Sequence, residues 1–207
     1  MIGASFRIFK GVKSGAALLL LGAGLLQGNA VTYTFSGSGT GSLGTTDFTN
    51  ANFVVTLDGD TSEVAIQPPL GSIPGIIGLP VDIDITGVGT VNFTGTTFIF
   101  TYSETVGFGE DNSGLTPPPG NLIQITAANL SGYGLTSDII SSGGNTVLGQ
   151  FVNAATSGGS LTFTSMSTVT FNANVSSIPE PSAVALVGGA MAVLTLLKRM
   201  RKNSIHC

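Results

Sequence analysis

The sequence predicts an all-β protein, an antiparallel β-sandwich of simple or jelly-roll type, flanked by two short apolar segments. Three observations carry that prediction. Apolar and small polar residues alternate with period two, as in Val31, Tyr33 and Phe35 against Thr32, Thr34 and Ser36; such alternation gives a strand one dry face and one wet face. Gly, Pro, Asn and Asp interrupt these runs at short intervals, where turns need them. Between residues 31 and 177 no segment carries a helical apolar period of useful length.

Taken in chain order, the first strand covers 31–36. A second covers 53–57, and Asp58-Gly59-Asp60 reads as a hairpin turn into a third at 63–66. Residues 67–80 are proline-rich and read as an extended, solvated loop rather than a strand. Val81, Ile83 and Ile85 then alternate with Asp82, Asp84 and Thr86. Shorter strands follow at 91–94, 97–102, 122–126 and 146–152, with a second proline-rich loop at 115–121. The last run, 161–171, has four apolar residues among its six odd positions (Leu161, Phe163, Val169 and Phe171), with four threonines and Met166 at the even ones. β-Branched and aromatic residues suit such half-buried pleated surfaces. Of 12 phenylalanines only Phe6 and Phe9 precede this region, and the others can fill a single core.

The charges are segregated. All seven Lys and Arg lie at the ends: Arg7, Lys10 and Lys13, then Lys198, Arg199, Arg201 and Lys202. All of the 11 acidic residues except Glu180 lie between 31 and 177, a stretch without Lys, Arg, His, Cys or Trp. Nucleic-acid binding is excluded there, because it needs cations against phosphate. Ser- and Cys-nucleophile hydrolysis needs a histidine base, and the single His and Cys are His206 and Cys207. Schiff-base chemistry and phosphoryl-transfer clamps lack their cations. Zinc, copper and haem lack nitrogen and sulfur ligands. Two-carboxylate chemistry and oxygen-ligated cations survive. With no cation for a partner, each acid is expected to face water or an external cation, and mutual repulsion to raise carboxylate pKa values.

The ends read as addresses. Residues 1–30 have a positive n-region at Arg7, Lys10 and Lys13 and an apolar run from Gly15 to Leu26. Gly28-Asn29-Ala30 then puts small residues at the positions signal peptidase reads, so cleavage is expected between Ala30 and Val31. As a helix that apolar run spans only ~18 Å, short of a ~30 Å hydrocarbon core, which argues against an uncleaved anchor. At the other end, the uncharged stretch from Ser182 to Leu197 gives ~24 Å of helix, marginal for a transmembrane span. Lys198, Arg199, Arg201 and Lys202 stop it, and by the positive-inside rule they stay cytoplasmic with everything upstream outside.

Pro179-Glu180-Pro181-Ser182, the short apolar helix and the basic end together resemble the sorting signal of the PEP-CTERM family. The resemblance covers residues 178–207; Asn203 to Cys207 extend past the basic cluster where such tails commonly stop. It implies a secreted protein of a Gram-negative-type bacterium, held transiently at the inner membrane. An exosortase then removes or transfers the tail near Pro179, Glu180 and Pro181, much as a GPI signal is an address rather than a permanent span. The chain divides accordingly into a signal peptide (1–30), a β-sandwich ectodomain (31–177) and a sorting signal (178–207). Residues 31–43 and 53–61 are also similar to the opening strands of PEP-CTERM ectodomains, a likeness that brings no activity with it.

Three acidic groupings are the ectodomain's candidate sites. Asp58, Asp60 and Glu63 surround the expected hairpin tip and offer oxygen ligands for calcium. Their spacing matches only the first part of an EF-hand loop, so a solvated turn is the plainer reading. Asp82 and Asp84 project from one face of one strand and read as a wet face. Glu110-Asp111-Asn112 reads as a solvated loop opening.

The functional expectation is a non-enzymatic surface or extracellular-matrix protein, of the biofilm type that the resemblance implies. Its partners are signal peptidase and exosortase during processing, with extracellular polysaccharide beyond that. No nucleic acid and no cofactor other than calcium enter this reading. The competing expectation is a carbohydrate-binding module or a carboxylate-based carbohydrate-active enzyme. Missing Trp and missing cations weigh against the enzyme, and only Tyr33, Tyr102 and Tyr133 combine a ring with a hydroxyl.

Overall fold

The computed structural model describes residues 28–66, 72–111, 120–142 and 152–176. The apolar run before Gly28, the Pro179-Glu180-Pro181 motif and the basic cluster at 198–202 lie outside the described residues. So does nearly all of the strand expected at 146–152.

The described chain is all-β and antiparallel, and its helical turns are two short 3₁₀ turns, Thr61–Glu63 and Ala128–Leu130. In order the strands are β1 (Ala30–Leu43), β2 (Thr46–Asp60), β3 (Ala65–Ile66), β4 (Pro74–Ile77), β5 (Val81–Ile85), β6 (Gly89–Asn92) and β7 (Thr96–Tyr102). There follow β8 (Thr105–Asp111), β9 (Gly120–Thr126), β10 (Ile139–Ser142), β11 (Ala154–Thr156), β12 (Gly159–Met166) and β13 (Thr170–Ser176). The larger sheet runs β10-β13-β1-β2-β5-β6, with β12 also on β1 and β11 on β12; the smaller runs β3-β4-β7-β8-β9.

β1 explains the shape of the larger sheet. Its first half pairs with β13, from Ala30 opposite Ser176 to Ser36 opposite Thr170. Its second half pairs with β12, from Gly39 to Leu43, with a bulge between Thr40 and Gly41. At Gly41 the backbones come so close that a Cβ would stand 2.0 Å from the Thr162 carbonyl oxygen, which only glycine avoids. The sheet then curls until Phe93, just past β6, bridges to Thr156 on β11. The Thr94 amide donates to the Ala155 carbonyl and the Ser157 amide to that of Asn92. The sheet is therefore nearly closed at that end, a barrel-like turn that removes an exposed edge.

Alternation decides which side faces in. Val31, Tyr33, Phe35, Val55, Leu57, Ile83, Ile85 and Phe171 are all buried from the larger sheet. Val106, Phe108, Ile123 and Ile125 meet them from the smaller one in a single cluster. Phe108 links the sheets directly, with its ring 6.2 Å from Phe35 and 5.2 Å from Phe93. Burying each such ring stabilises the fold by about 1.5–3 kcal/mol.

Three element expectations are corrected. Asp58-Gly59-Asp60 is not a hairpin turn: β2 runs through it, and Thr61–Glu63 forms a 3₁₀ turn at which the chain crosses to β3 in the other sheet. The proline-rich 67–80 segment contains β4, because Pro74 sits at a strand start and the ladder to β7 runs from Gly75 to Ile77. The run 161–171 is two strands, since the chain turns after Met166 and re-enters as β13.

Candidate functional site

The same alternation that fills the core builds the opposite face of the larger sheet. Direct cross-strand pairing puts Ile140, Asn172, Thr34, Thr56, Asp82 and Asn92 in one row across six strands. Neighbouring strands lie about 4.8 Å apart, so the row is a line of short, mostly polar side chains spaced at that interval. A second row holds Asn174, Thr32 and Asp58. Some groups of this face are engaged: the Thr32 hydroxyl donates to Asp58 Oδ1 at 2.7 Å, and on β5 and β6 the Thr90 hydroxyl donates to Asp84 Oδ1 at 2.8 Å. Asp82 and Asp84 are exposed, as expected of a wet face.

Over β10, β13 and β1 this face is concave. One depression of about 470 Å³ is lined by Asp138, Ile139, Ile140, Asn172, Ala173 and Asn174. A second, of about 320 Å³, is lined by Thr32, Thr34, Asn172, Asn174 and Ser176. They share both asparagines and form one trough. Asp138 lies at its β10 edge, where its Oδ1 accepts the Val175 amide at 2.6 Å beyond the end of the β10 ladder. Ile140, on the same edge opposite Asn172, also lines it and is 70% exposed. Among the described residues no side-chain hydrogen bond engages Asn172, Asn174 or Thr34. Two amides and a hydroxyl, each both donor and acceptor, are therefore open to a ligand.

The expected calcium ligands are all used locally. Asp60 Oδ1 accepts from the Ser62 amide at 2.7 Å and from the Ser62 hydroxyl at 2.5 Å. Glu63 Oε2 accepts the Asp60 amide at 3.2 Å, completing a capping box around the 3₁₀ turn. Asp58 is bonded to Thr32 on the sheet face. Among the described residues no three His, Cys, Asp or Glu side chains stand together in a way that could hold a metal ion. Next to this corner, Ala30 pairs with Asp60 and Val31 with Gly59, while Asn29 and Thr61 bond each other through two backbone amides.

Two electrostatic expectations are corrected. The Asp60 carboxyl is held below the ordinary carboxylate range, first by the Ser62 hydroxyl and then by the Ser62 amide, rather than raised by repulsion. Glu110 does not face water: it is 3% exposed, with Oε1 accepting the Gly95 amide at 2.8 Å and Oε2 the Ala155 amide at 3.0 Å. Backbone amides do what a cation would otherwise have to do. Asp111 closes the same strand, and Asn112 lies outside the described residues.

The trough was not singled out in the sequence, although its signal was present in Asn172, Asn174, Thr32 and Thr34 at outward positions of two strands. What no local pattern gives is that β13 and β1 are neighbours. The fold and face together define an antiparallel all-β protein of two sheets with an open polar face. No protein-family model, curated protein or solved structure matches the chain. Among the described residues no helix is long and apolar enough to cross a membrane.

Proposed function

We infer that the chain is a non-enzymatic extracytoplasmic protein, secreted through residues 1–30 and sorted by an exosortase through residues 178–207. Its working location is the cell surface or extracellular matrix of a Gram-negative-type bacterium. The observation that supports this reading is the pairing of Val31 with Val175. The two ends of the β domain are ladder neighbours, so the segments leading to both proposed signals leave from one pole. A domain tethered and then released at that pole exposes its remaining surface throughout. Its acidic, cation-free composition suits a solvated surface role.

Fractionation of the native host with intact-mass measurement tests the reading. Surface or extracellular material should begin at Val31 and lack Lys198 to Cys207. Glu180→Ala should retain full-length protein at the membrane. Mature surface protein that still carries Cys207 overturns the sorting reading in favour of a single-span anchor.

A further inference from the structure

We propose that the trough over β10, β13 and β1 is a binding site for a neutral polysaccharide. The choice of a polymer over a small polyol rests on the extracellular setting inferred above; the choice of ligand chemistry rests on the trough itself.

Sugar hydroxyls are donors and acceptors at once, and their best protein partners are groups of the same mixed character. Asn172 and Asn174 supply two open amides, and Thr34 supplies an open hydroxyl. Asp138 borders them with a carboxylate that only accepts. Exposed Ile140 adds an apolar patch for the C–H face of a ring. Both depressions lie within the ~300–1,000 Å³ usual for ligand sites. Along the row, polar groups recur at a strand spacing of about 4.8 Å, close to the length of one pyranose unit in an extended chain.

The alternatives fit less well. An anionic polymer meets no Lys, Arg or His anywhere between residues 31 and 177, and it faces acids instead. A peptide filling the trough as a strand added to β13 would need free backbone groups along that strand. There β10 occupies the ladder from Thr170 to Ala173, and Asp138 takes the next outward amide, that of Val175. A hydrophobic partner would find one large exposed apolar side chain in the trough.

The test is retardation of the full-length protein in native gels containing dextran, soluble mannan or hydroxyethyl cellulose, with alginate as an anionic counterpart. The expected result is retardation by at least one neutral polymer and none by alginate. Asn174→Ala and Thr34→Val, both on the solvent side of the sheet, should each weaken that binding about tenfold. Asn172→Ala combined with Asn174→Ala should abolish it. Thr90→Val, on the same face outside the trough, should leave it unchanged. Melting curves matched to wild type establish that each variant is folded. Failure of all three neutral polymers, or equal retardation by alginate, overturns the ligand chemistry. Wild-type binding by the double variant overturns the location. Neither outcome touches the fractionation result, which stands or falls on the two ends of the chain.

Discussion

Glu110 on β8 accepts a hydrogen bond from the backbone amide of Ala155 on β11 at 3.0 Å, and so ties the smaller sheet to the closing seam of the larger one. Its other oxygen takes the Gly95 amide at 2.8 Å, in the link between β6 and β7. One carboxylate thus satisfies two donors that the barrel-like closure would otherwise strand. Hydrogen bonds to a charged acceptor are worth about 1.5–3 kcal/mol each, and an orphaned buried donor costs about 1–3 kcal/mol. Glu110→Gln keeps one acceptor but aims an NH₂ group at the other amide, and should destabilise by about 2–3 kcal/mol. Glu110→Ala should lose roughly 3–5 kcal/mol, because both donors are left unpaired. Urea unfolding followed by circular dichroism measures both; a glutamine variant within ~0.5 kcal/mol of wild type would show that the seam does not depend on this carboxylate.

Asp60 sets the pH behaviour of the β2 corner. Its folded-state pKa is depressed by Ser62, so its contribution to stability is present above the unfolded value of about 3.9. That contribution is lost as the pH falls through the folded value. The sign is opposite to that of simple acid–acid repulsion, which makes the fold more stable as protons are added. Carboxyl NMR titration should find Asp60 below the ordinary range and Ser62→Ala should move it upward. An unchanged midpoint in the serine variant would assign the shift to another cause. Calcium should move the Asp58, Asp60 and Glu63 signals no more than sodium at equal ionic strength, since each carboxylate already serves a neighbour.

Tyr33 and Tyr133 should set the alkaline limit of the fold. The Tyr33 hydroxyl donates to the Leu135 carbonyl at 2.5 Å, holding a buried residue whose φ of 63° is rare for leucine. Tyr133 donates to the Ser137 carbonyl at 3.1 Å in the same loop. Burial pushes both phenols well above their usual value, helped by each Tyr33–Tyr133 and Tyr133–Asp138 neighbour relation. Raised values mean that the stabilisation is fully present below about pH 10 and is lost as the pH rises toward the folded values. Phenolate absorbance from these two residues should therefore appear together with loss of the β-sheet signal. Ionisation of both with the fold intact would refute the coupling. Tyr33→Phe should destabilise by about 1–2 kcal/mol through the unpaired Leu135 carbonyl.

Legibility in the sequence followed the range of the interactions. β1, β5 and β7 were readable because Val31-Thr32-Tyr33, Val81-Asp82-Ile83 and Phe98-Ile99-Phe100 carry their own local signal of alternation or a continuous apolar run. β8 was not, because Gly107 and Gly109 interrupt the pattern at the outward positions where a side chain would complete it. Glu110 was misread for a related reason: its amide partners come from Gly95 and Ala155, 15 and 45 residues away. The trough needed the pairing of β13 with β1, a contact across more than a hundred residues that no window along the chain contains.

The glycines of β8 make room for two outward-facing rings on β7. Phe98 and Phe100 point away from the main core, yet they are 1% and 6% exposed, packed with Ile73 and Ile77 in a small outer cluster. They can lie flat because their cross-strand partners are Gly109 and Gly107. A Cβ at Gly107 would stand 2.3 Å from the Phe100 ring, and one at Gly109 would stand 2.1 Å from Phe98 and 2.6 Å from the Gly120 carbonyl oxygen. A ring can swing, whereas a ladder carbonyl cannot without breaking the β8–β9 pairing. Gly107→Ala should therefore cost about 1–2 kcal/mol and Gly109→Ala about 3 kcal/mol, within the range known for overpacking. A double-mutant cycle separates the two contacts. Phe100→Leu should recover most of the Gly107→Ala loss, while Phe98→Leu should recover only part of the Gly109→Ala loss, because the Gly120 carbonyl remains. Equal recovery at both positions would show that the β9 backbone yields, and that the rings alone hold these glycines in place.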